Sequence, residues 1–159
     1  MPDFQYREAT VDDLPAMARI RAAEWETEEF WMNRISGYLT GDHNPQQAFG
    51  PRIIYVALDG EVIVGFIAGH LTQRYACSGE LEWINVIESY KWKGIASNLF
   101  RLMASWFIFH KAYRVCVDVD PANLIARKFY KRHGATELNK YWLVWDDIRG
   151  IRGEEKDFG

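Results

Sequence analysis

At 159 residues, with 48% hydrophobic and 26% charged residues, the chain has the composition of one globular domain large enough for a real core. A net charge of -3 excludes broad electrostatic attraction to nucleic acid, and no apolar run approaches a membrane span. Met1-Pro2-Asp3-Phe4 does not read as a signal peptide, and Cys77 and Cys116 lack metal-ligand spacing, so a reducing cytoplasm with free thiols is the expected setting.

Phe4-Gln5-Tyr6-Arg7 alternates as a short edge strand. Thr10-Val11-Asp12-Asp13 reads as a capping-box start with acidic residues in its first turn. Leu14, Met17, Ala18, Arg21 and Trp25 follow at helical spacing and predict a helix to about Trp25. A second helix is predicted over 28–39, with Phe30, Trp31, Ile35 and Tyr38 on its apolar face. Residues 40–51, rich in Gly, Asp, Asn and Pro, read as a loop. Two strands, 53–58 and 62–71, flank Asp59-Gly60, a strong hairpin signal. Gly65 and Gly69 in the second of them mark a bulge or a close backbone approach.

The next stretch organises the rest. A strand over 81–87 leads through Glu88-Ser89-Tyr90 and Lys91-Trp92-Lys93-Gly94-Ile95-Ala96 into a helix over 94–109. Ile95, Leu99, Leu102, Met103, Trp106 and Phe107 form its predicted buried stripe. A glycine-containing turn at a helix start presents unpaired N–H groups with the helix dipole behind them, which suits a phosphate or pyrophosphate. Val115-Cys116-Val117-Asp118-Val119, reached through that helix, should run parallel to the opening strand. A helix over 122–133 stops at Gly134, two final strands span 136–138 and 141–145, and 149–159 reads as a flexible tail behind a domain of 1–148. The order βααβββαβαββ gives an α+β, three-layer fold: a mixed, mostly antiparallel sheet with helices on both faces. No Gly-x-Gly-x-x-Gly follows a strand, which argues against a Rossmann dinucleotide fold.

Lys91-Trp92-Lys93-Gly94-Ile95-Ala96 resembles the acyl-CoA-binding segment of the GNAT N-acyltransferase superfamily, whose motif is Gln or Arg, two residues, Gly, one residue, then Gly or Ala. Asn123, Ala126, Phe129-Tyr130 and Gly134-Ala135 look like that family's second signature, and the element order matches as well. There are two departures: Lys91 stands for the usual Gln or Arg, and Trp92 stands where a glycine is common.

The resemblance implies an N-acetyltransferase using acetyl-CoA as co-substrate, with no metal. Its pyrophosphate would lie on the backbone from Trp92 to Ala96, with Lys91, Lys93, Gly94 and Ile95 in the same segment. The pantetheine arm would lie along Ile84 to Val86, the Val86 N–H polarising the thioester carbonyl, with Asn123 bonding the arm or capping its helix. A lysine-like amine, with a pKa of about 10.4, is neutral only about one part in 2,500 at pH 7, a handicap of roughly 4.6 kcal/mol. A base is therefore expected. Glu80 and Glu82 are the candidates, Glu80 slightly ahead, and Tyr130 is the candidate acid for the departing thiolate. The acceptor would be a primary amine of a small molecule or peptide, attacked directly in a ternary complex. A non-catalytic acyl-CoA-binding sensor is the alternative. The resemblance also allows a homodimer through the C-terminal strands. His43, His70, His110 and His133 show no metal spacing and are given no role.

Overall fold

The computed structural model describes residues 3–45 and 48–152. The elements are β1 (Gln5–Glu8), α1 (Leu14–Ala22), α2 (Glu28–Thr40), β2 (Ala48–Asp59), β3 (Val62–Thr72), β4 (Gly79–Val86), α3 (Ile95–Phe109), β5 (Val115–Asp118), α4 (Leu124–Arg132), β6 (Thr136–Glu137), β7 (Trp142–Trp145) and α5 (Arg149–Arg152). The strands form one seven-stranded sheet in the order β1-β2-β3-β4-β5-β7-β6. Only β4 and β5 pair in parallel; every other neighbouring pair is antiparallel.

Each face of the sheet is covered by helices. On one face Met17, Ala18, Trp31, Ile35 and Tyr38 of α1 and α2 pack on Ile54, Val56, Phe66 and Trp83. On the other, α3 buries Ile95, Leu99, Phe100, Met103, Ala104 and Phe107. Each such large apolar side chain contributes about 1.5–3 kcal/mol when fully buried, so α3 anchors this layer. Its buried stripe is rotated from the predicted one: Phe100 and Ala104 are buried, while Leu102 and Trp106 are half-buried.

The sheet sits very close to α3. A Cβ built on Gly79 would lie 2.6 Å from the Phe107 ring, and one on Gly69 2.8 Å from the Met103 sulfur. The close backbone approach read from Gly69 is therefore an approach to a helix, and Gly79 shares it. Gly79→Ala is expected to destabilise the fold by about 1–3 kcal/mol, because the packed ring has to move. Urea unfolding checks this, and an unchanged midpoint would count against such tight packing.

Some boundaries differ from the sequence reading. Asp13 caps the first helix through the Thr10 N–H at 2.8 Å and is itself gripped by Arg7 at 2.7 and 3.0 Å, as the capping box suggested. However, α1 stops at Ala22, so Trp25 lies beyond it and is exposed. The end of the predicted 40–51 loop is strand: β2 begins at Ala48 because β3 is long enough to pair with it there, Ala48 opposite Thr72. Gln46 and Gln47 in that loop lie outside the described residues. The predicted tail begins with α5; Ile151 within it and Ile148 just before it are both buried in the core. Packing thus continues past residue 148, and residues 153–159 lie outside the description. No described helix is long and apolar enough to cross a membrane.

Candidate active site

β4 and β5 pair only from Gly79 to Leu81, opposite Val115 to Val117, and then separate. Two local features cause this. β5 ends at Asp118, just before Asp120-Pro121, and β4 carries a bulge. In the β3–β4 ladder Ala68 faces Trp83 but Gly69 faces Leu81, so Glu82 is an extra residue on β4. A bulge bends its strand and increases the local twist. The gap is an open cleft of about 1930 Å³ whose walls include Glu82, Ile84 and Val86 on one side and Asp118, Asn123 and Tyr130 on the other.

The register also decides where the β4 backbone points. Ile87 donates to the Val64 carbonyl at 2.8 Å, and the register runs on unbroken to Trp83, so Ile87, Asn85 and Trp83 spend their backbone groups on β3. Ile84 and Val86 lie between them, and their N–H and C=O groups therefore face the cleft. The alternation also sends Ile84 and Val86 side chains to the α3 layer and Trp83 to the α1–α2 layer.

The start of α3 forms the cleft's other end. Its first internal bond is Asn98 N–H to Gly94 C=O at 3.0 Å, so the N–H groups of Ile95, Ala96 and Ser97 come before the ladder. Gly94 caps the helix at φ 83, and a Cβ there would meet nothing within 4 Å, so the loop's outer side is open to an anion. Trp92 has φ 68 and its side chain is 83% exposed. That left-handed conformation explains why glycine is common at this position, and why tryptophan there is strained. Lys91 lines the cleft, but its ammonium is taken by Glu88 at 2.9 Å. Lys93 is exposed and forms no part of the cleft wall, so among side chains it adds little and only its backbone is placed for an anion. Ser97 lines the cleft with its hydroxyl 3.1 Å from His133 Nε2. Burial and nearby Arg132 and Arg101 push His133 down to about 4, so it is neutral at ordinary pH. Asn123 caps α4, its side-chain oxygen accepting the Ala126 N–H at 3.1 Å.

The two glutamates differ in surroundings. Glu80 is 4% exposed, and its Oε1 lies 3.2 Å from Arg74 Nε. Glu82 faces the cleft, where burial, then the charge of Glu80, pushes it up to about 7, against the opposing pull of Arg74 and Arg21. Asp118 is also raised, by burial and then by Glu80. Tyr130, 5% exposed on α4 and edge-on to Trp145, has its phenol pushed up by burial.

Three residues that the sequence reading passed over join this site. Arg21, on α1, lines the cleft, donates to Asn85 Oδ1 at 2.6 Å, and stacks on Trp31 at 4.4 Å. Arg74 holds Glu80 and lies over Trp142 at 4.8 Å. His70, given no role from sequence, sits opposite Glu80 in the ladder, with Nε2 3.6 Å from Glu80 and Nδ1 4.0 Å from Glu82. One side-chain N or O atom from each of His70, Glu80 and Glu82 lies within 4.8 Å of the others. With the Arg74 guanidinium on the same Glu80 oxygen, the cluster reads as a charge network and not as a cation site. Cys77 and Cys116 are free and buried and do not line the cleft.

Solved structures share this fold. Coenzyme A-bound PaiA N-acetyltransferase from Thermoplasma acidophilum superposes with a TM-score of 0.67 at 14% identity, over 91% of this chain and 99% of that one. Arabidopsis thaliana NAA60 with a bisubstrate analogue gives 0.68 at 18% identity, over 90% and 97%. The aminoglycoside N-acetyltransferase AAC(6')-Iy with coenzyme A gives 0.71 at 20%, over 86% and 90%. No curated protein matches the chain in sequence. The sequence profile of the acetyltransferase (GNAT) family matches residues 14–135, most of the length, and the chain is therefore a member of the GNAT acetyltransferase family.

Proposed function

We propose that this chain transfers the acetyl group of acetyl-CoA to a primary amine of a small molecule or peptide, by direct attack in a ternary complex. The observation that carries the reading is the parting of β4 and β5 beyond Leu81. It leaves the Ile84 and Val86 N–H groups, the start of α3, Glu82 and Tyr130 on one cleft.

The pyrophosphate of the cofactor rests on the N–H groups at the start of α3, and the pantetheine amides pair with the free backbone edge of Ile84 and Val86. The Val86 N–H donates a hydrogen bond to the thioester oxygen as charge grows there during attack; such a donor is typically worth roughly 3 kcal/mol of barrier. Glu82, directly or through one water, takes the amine proton. At about 7 it is a far stronger base than an ordinary carboxylate, yet it is still ionised for about half its population at neutral pH. Glu80, buried and tied to Arg74, is the weaker candidate, which reverses the order taken from sequence. The carbonyl then re-forms, the C–S bond breaks, and the departing thiolate, hydrogen-bonded by the Tyr130 hydroxyl, takes up the remaining proton of the attacking nitrogen. A phenol raised by burial donates a hydrogen bond more readily than it gives up its proton, so stabilisation is its role. Neither buried cysteine lies on the cleft, which supports transfer without a covalent acyl-enzyme. Their free thiols suit a reducing cytoplasm.

The acceptor enters at the end bounded by Arg21, Glu24, Trp25, Asp118, Tyr141 and Trp142. The aminoglycoside enzyme of the same fold supports a small-molecule amine as one acceptor class. Thiol release from acetyl-CoA across a panel of amines, peptides included, tests the reading. Amine-dependent release is expected, and coenzyme A binding with no turnover on any amine would favour a sensing module instead. In that assay Tyr130→Phe should lower kcat by about 10- to 100-fold, the worth of a hydrogen bond to a charged group. A wild-type kcat would remove the tyrosine from the mechanism.

A further inference from the structure

Behind Glu82 lies a buried histidine that the mechanism above does not use. His70 is 0% exposed, with Nδ1 2.8 Å from the Tyr38 hydroxyl of α2. Its Nε2 has no hydrogen-bond partner among the described residues, although Glu80 Oε1 is only 3.6 Å away. A buried polar atom left open next to a carboxylate calls for an account.

The tautomer follows from the neighbours. The Tyr38 phenol is held above its usual range by burial and by Glu82, so it keeps its proton and can donate it to Nδ1. The other neutral tautomer would turn the Nε2 lone pair on Glu80, which is repulsive. Nε2 therefore carries the hydrogen. Nε2 lies 3.6 Å from the same Glu80 oxygen that Arg74 Nε holds at 3.2 Å, just beyond hydrogen-bond length.

We propose that His70 is a positioning residue for the base: fixed by Tyr38, its Nε2–H pins the Glu80 carboxylate behind Glu82, so that the Glu80 charge bears on the residue that takes the amine proton. The inference rests on Glu82 as base. The other charges facing Glu82 are Arg74 from the β3–β4 connection, Arg21 from α1 and Asp118 from β5; Arg52 of β2 lies over the Tyr38 ring at 4.8 Å and is bonded to the Tyr38 and His43 carbonyls and to Asn44. Arg21 and Arg74 favour the Glu82 carboxylate, and Asp118 is the only other anion among them, so Glu80 is the main charge opposing them. A Glu80 that drifts to water or takes up a proton brings less negative charge to bear on Glu82, and Glu82 becomes a weaker base. The bulge makes the arrangement possible, because it folds Glu82 back beside the histidine that already faces Glu80 across the ladder.

The test titrates the Glu82 carboxyl by carbon-13 NMR and, beside it, follows the acid limb of kcat/KM, in wild type, His70→Gln, His70→Asn and Glu80→Gln. A glutamine carries an N–H close to where Nε2 stood, so His70→Gln should keep the wild-type midpoint. The asparagine amide reaches only as far as Nδ1, so His70→Asn should lower both midpoints by about 1 pH unit, as loss of a neighbouring like charge does. Glu80→Gln should lower them likewise. A wild-type NMR midpoint in folded His70→Asn overturns the proposal. If that variant does not fold, a wild-type midpoint in Glu80→Gln overturns the proposal, and Tyr38→Phe, which leaves His70 without its anchor, takes the place of His70→Asn: a lowered midpoint supports the proposal and an unchanged one overturns it. Glu82→Gln keeping the wild-type rate and acid limb would instead refute Glu82 as base, and the NMR comparison would still judge His70.

Discussion

Glu82→Gln is expected to lower kcat/KM by about 10²- to 10³-fold, the usual worth of a positioned general base, while acetyl-CoA still binds. The amide keeps the size and polarity of the carboxylate and removes only its ability to accept the amine proton. The pH profile gives the same claim a second edge. Glu82 is pushed up to about 7, and as the proposed base it acts in its ionised form, so wild-type kcat/KM should rise with pH through about 7 and level off above. In Glu82→Gln that limb should vanish, leaving only the ionisation of the amine itself at higher pH. A variant that retains both the rate and the limb would pass the role to another group. Glu80→Gln would then be the next substitution, although its carboxylate is buried against Arg74 and reaches the cleft less freely.

The second large effect is expected at the start of α3. Gly94 has φ 83 and an open outer side, the surface on which a diphosphate would lie. Gly94→Asp adds a left-handed strain and places a carboxylate against that diphosphate. Like charges about 4 Å apart repel by roughly 4 kcal/mol at a surface-like dielectric, of which screening leaves a part. The acetyl-CoA dissociation constant should therefore rise about 100-fold, equivalent to roughly 2.7 kcal/mol, as calorimetry would read it. Trp92→Gly, two residues away, should bind normally, because glycine suits φ 68 and the exposed indole covers little. A Gly94→Asp protein that binds acetyl-CoA as well as wild type would move the anion away from the helix start.

The main lines of the fold were legible because local signals agreed with tertiary ones. Asp59-Gly60 closes the β2–β3 hairpin, with Asp59 opposite Val62. A helix between two apolar strands set β4 and β5 parallel. The helix start at Gly94 was visible from the glycine itself, and the odd Trp92 became intelligible once its left-handed backbone was seen. The extra residue at Glu82 was not legible. A bulge shifts register by one residue, and whether it forms depends on the strand alongside and the helices packed above, not on the local sequence. Since it decides which way Glu82 faces, the proposed ranking of the two glutamates was beyond sequence reasoning. His70 was closer to reach: in an antiparallel pair joined by a short turn, a residue near 70 falls opposite one near 80. Pairing the strands explicitly would have placed that histidine beside Glu80. Arg21 and Arg74 carried no such signal, since an arginine reaches too far for its position to fix its partner.

The central claim is that one cleft, opened where β4 leaves β5, holds the cofactor and presents its thioester to the base. Electron density for coenzyme A bound together with an acceptor analogue tests it most directly. The account predicts pyrophosphate oxygens on the N–H groups at the start of α3, pantetheine amides paired with Ile84 and Val86, and the acceptor nitrogen within hydrogen-bond reach of Glu82 or one water from it. Coenzyme A lying elsewhere on the chain, or an acceptor nitrogen beyond the reach of Glu82 even through a water, would contradict it.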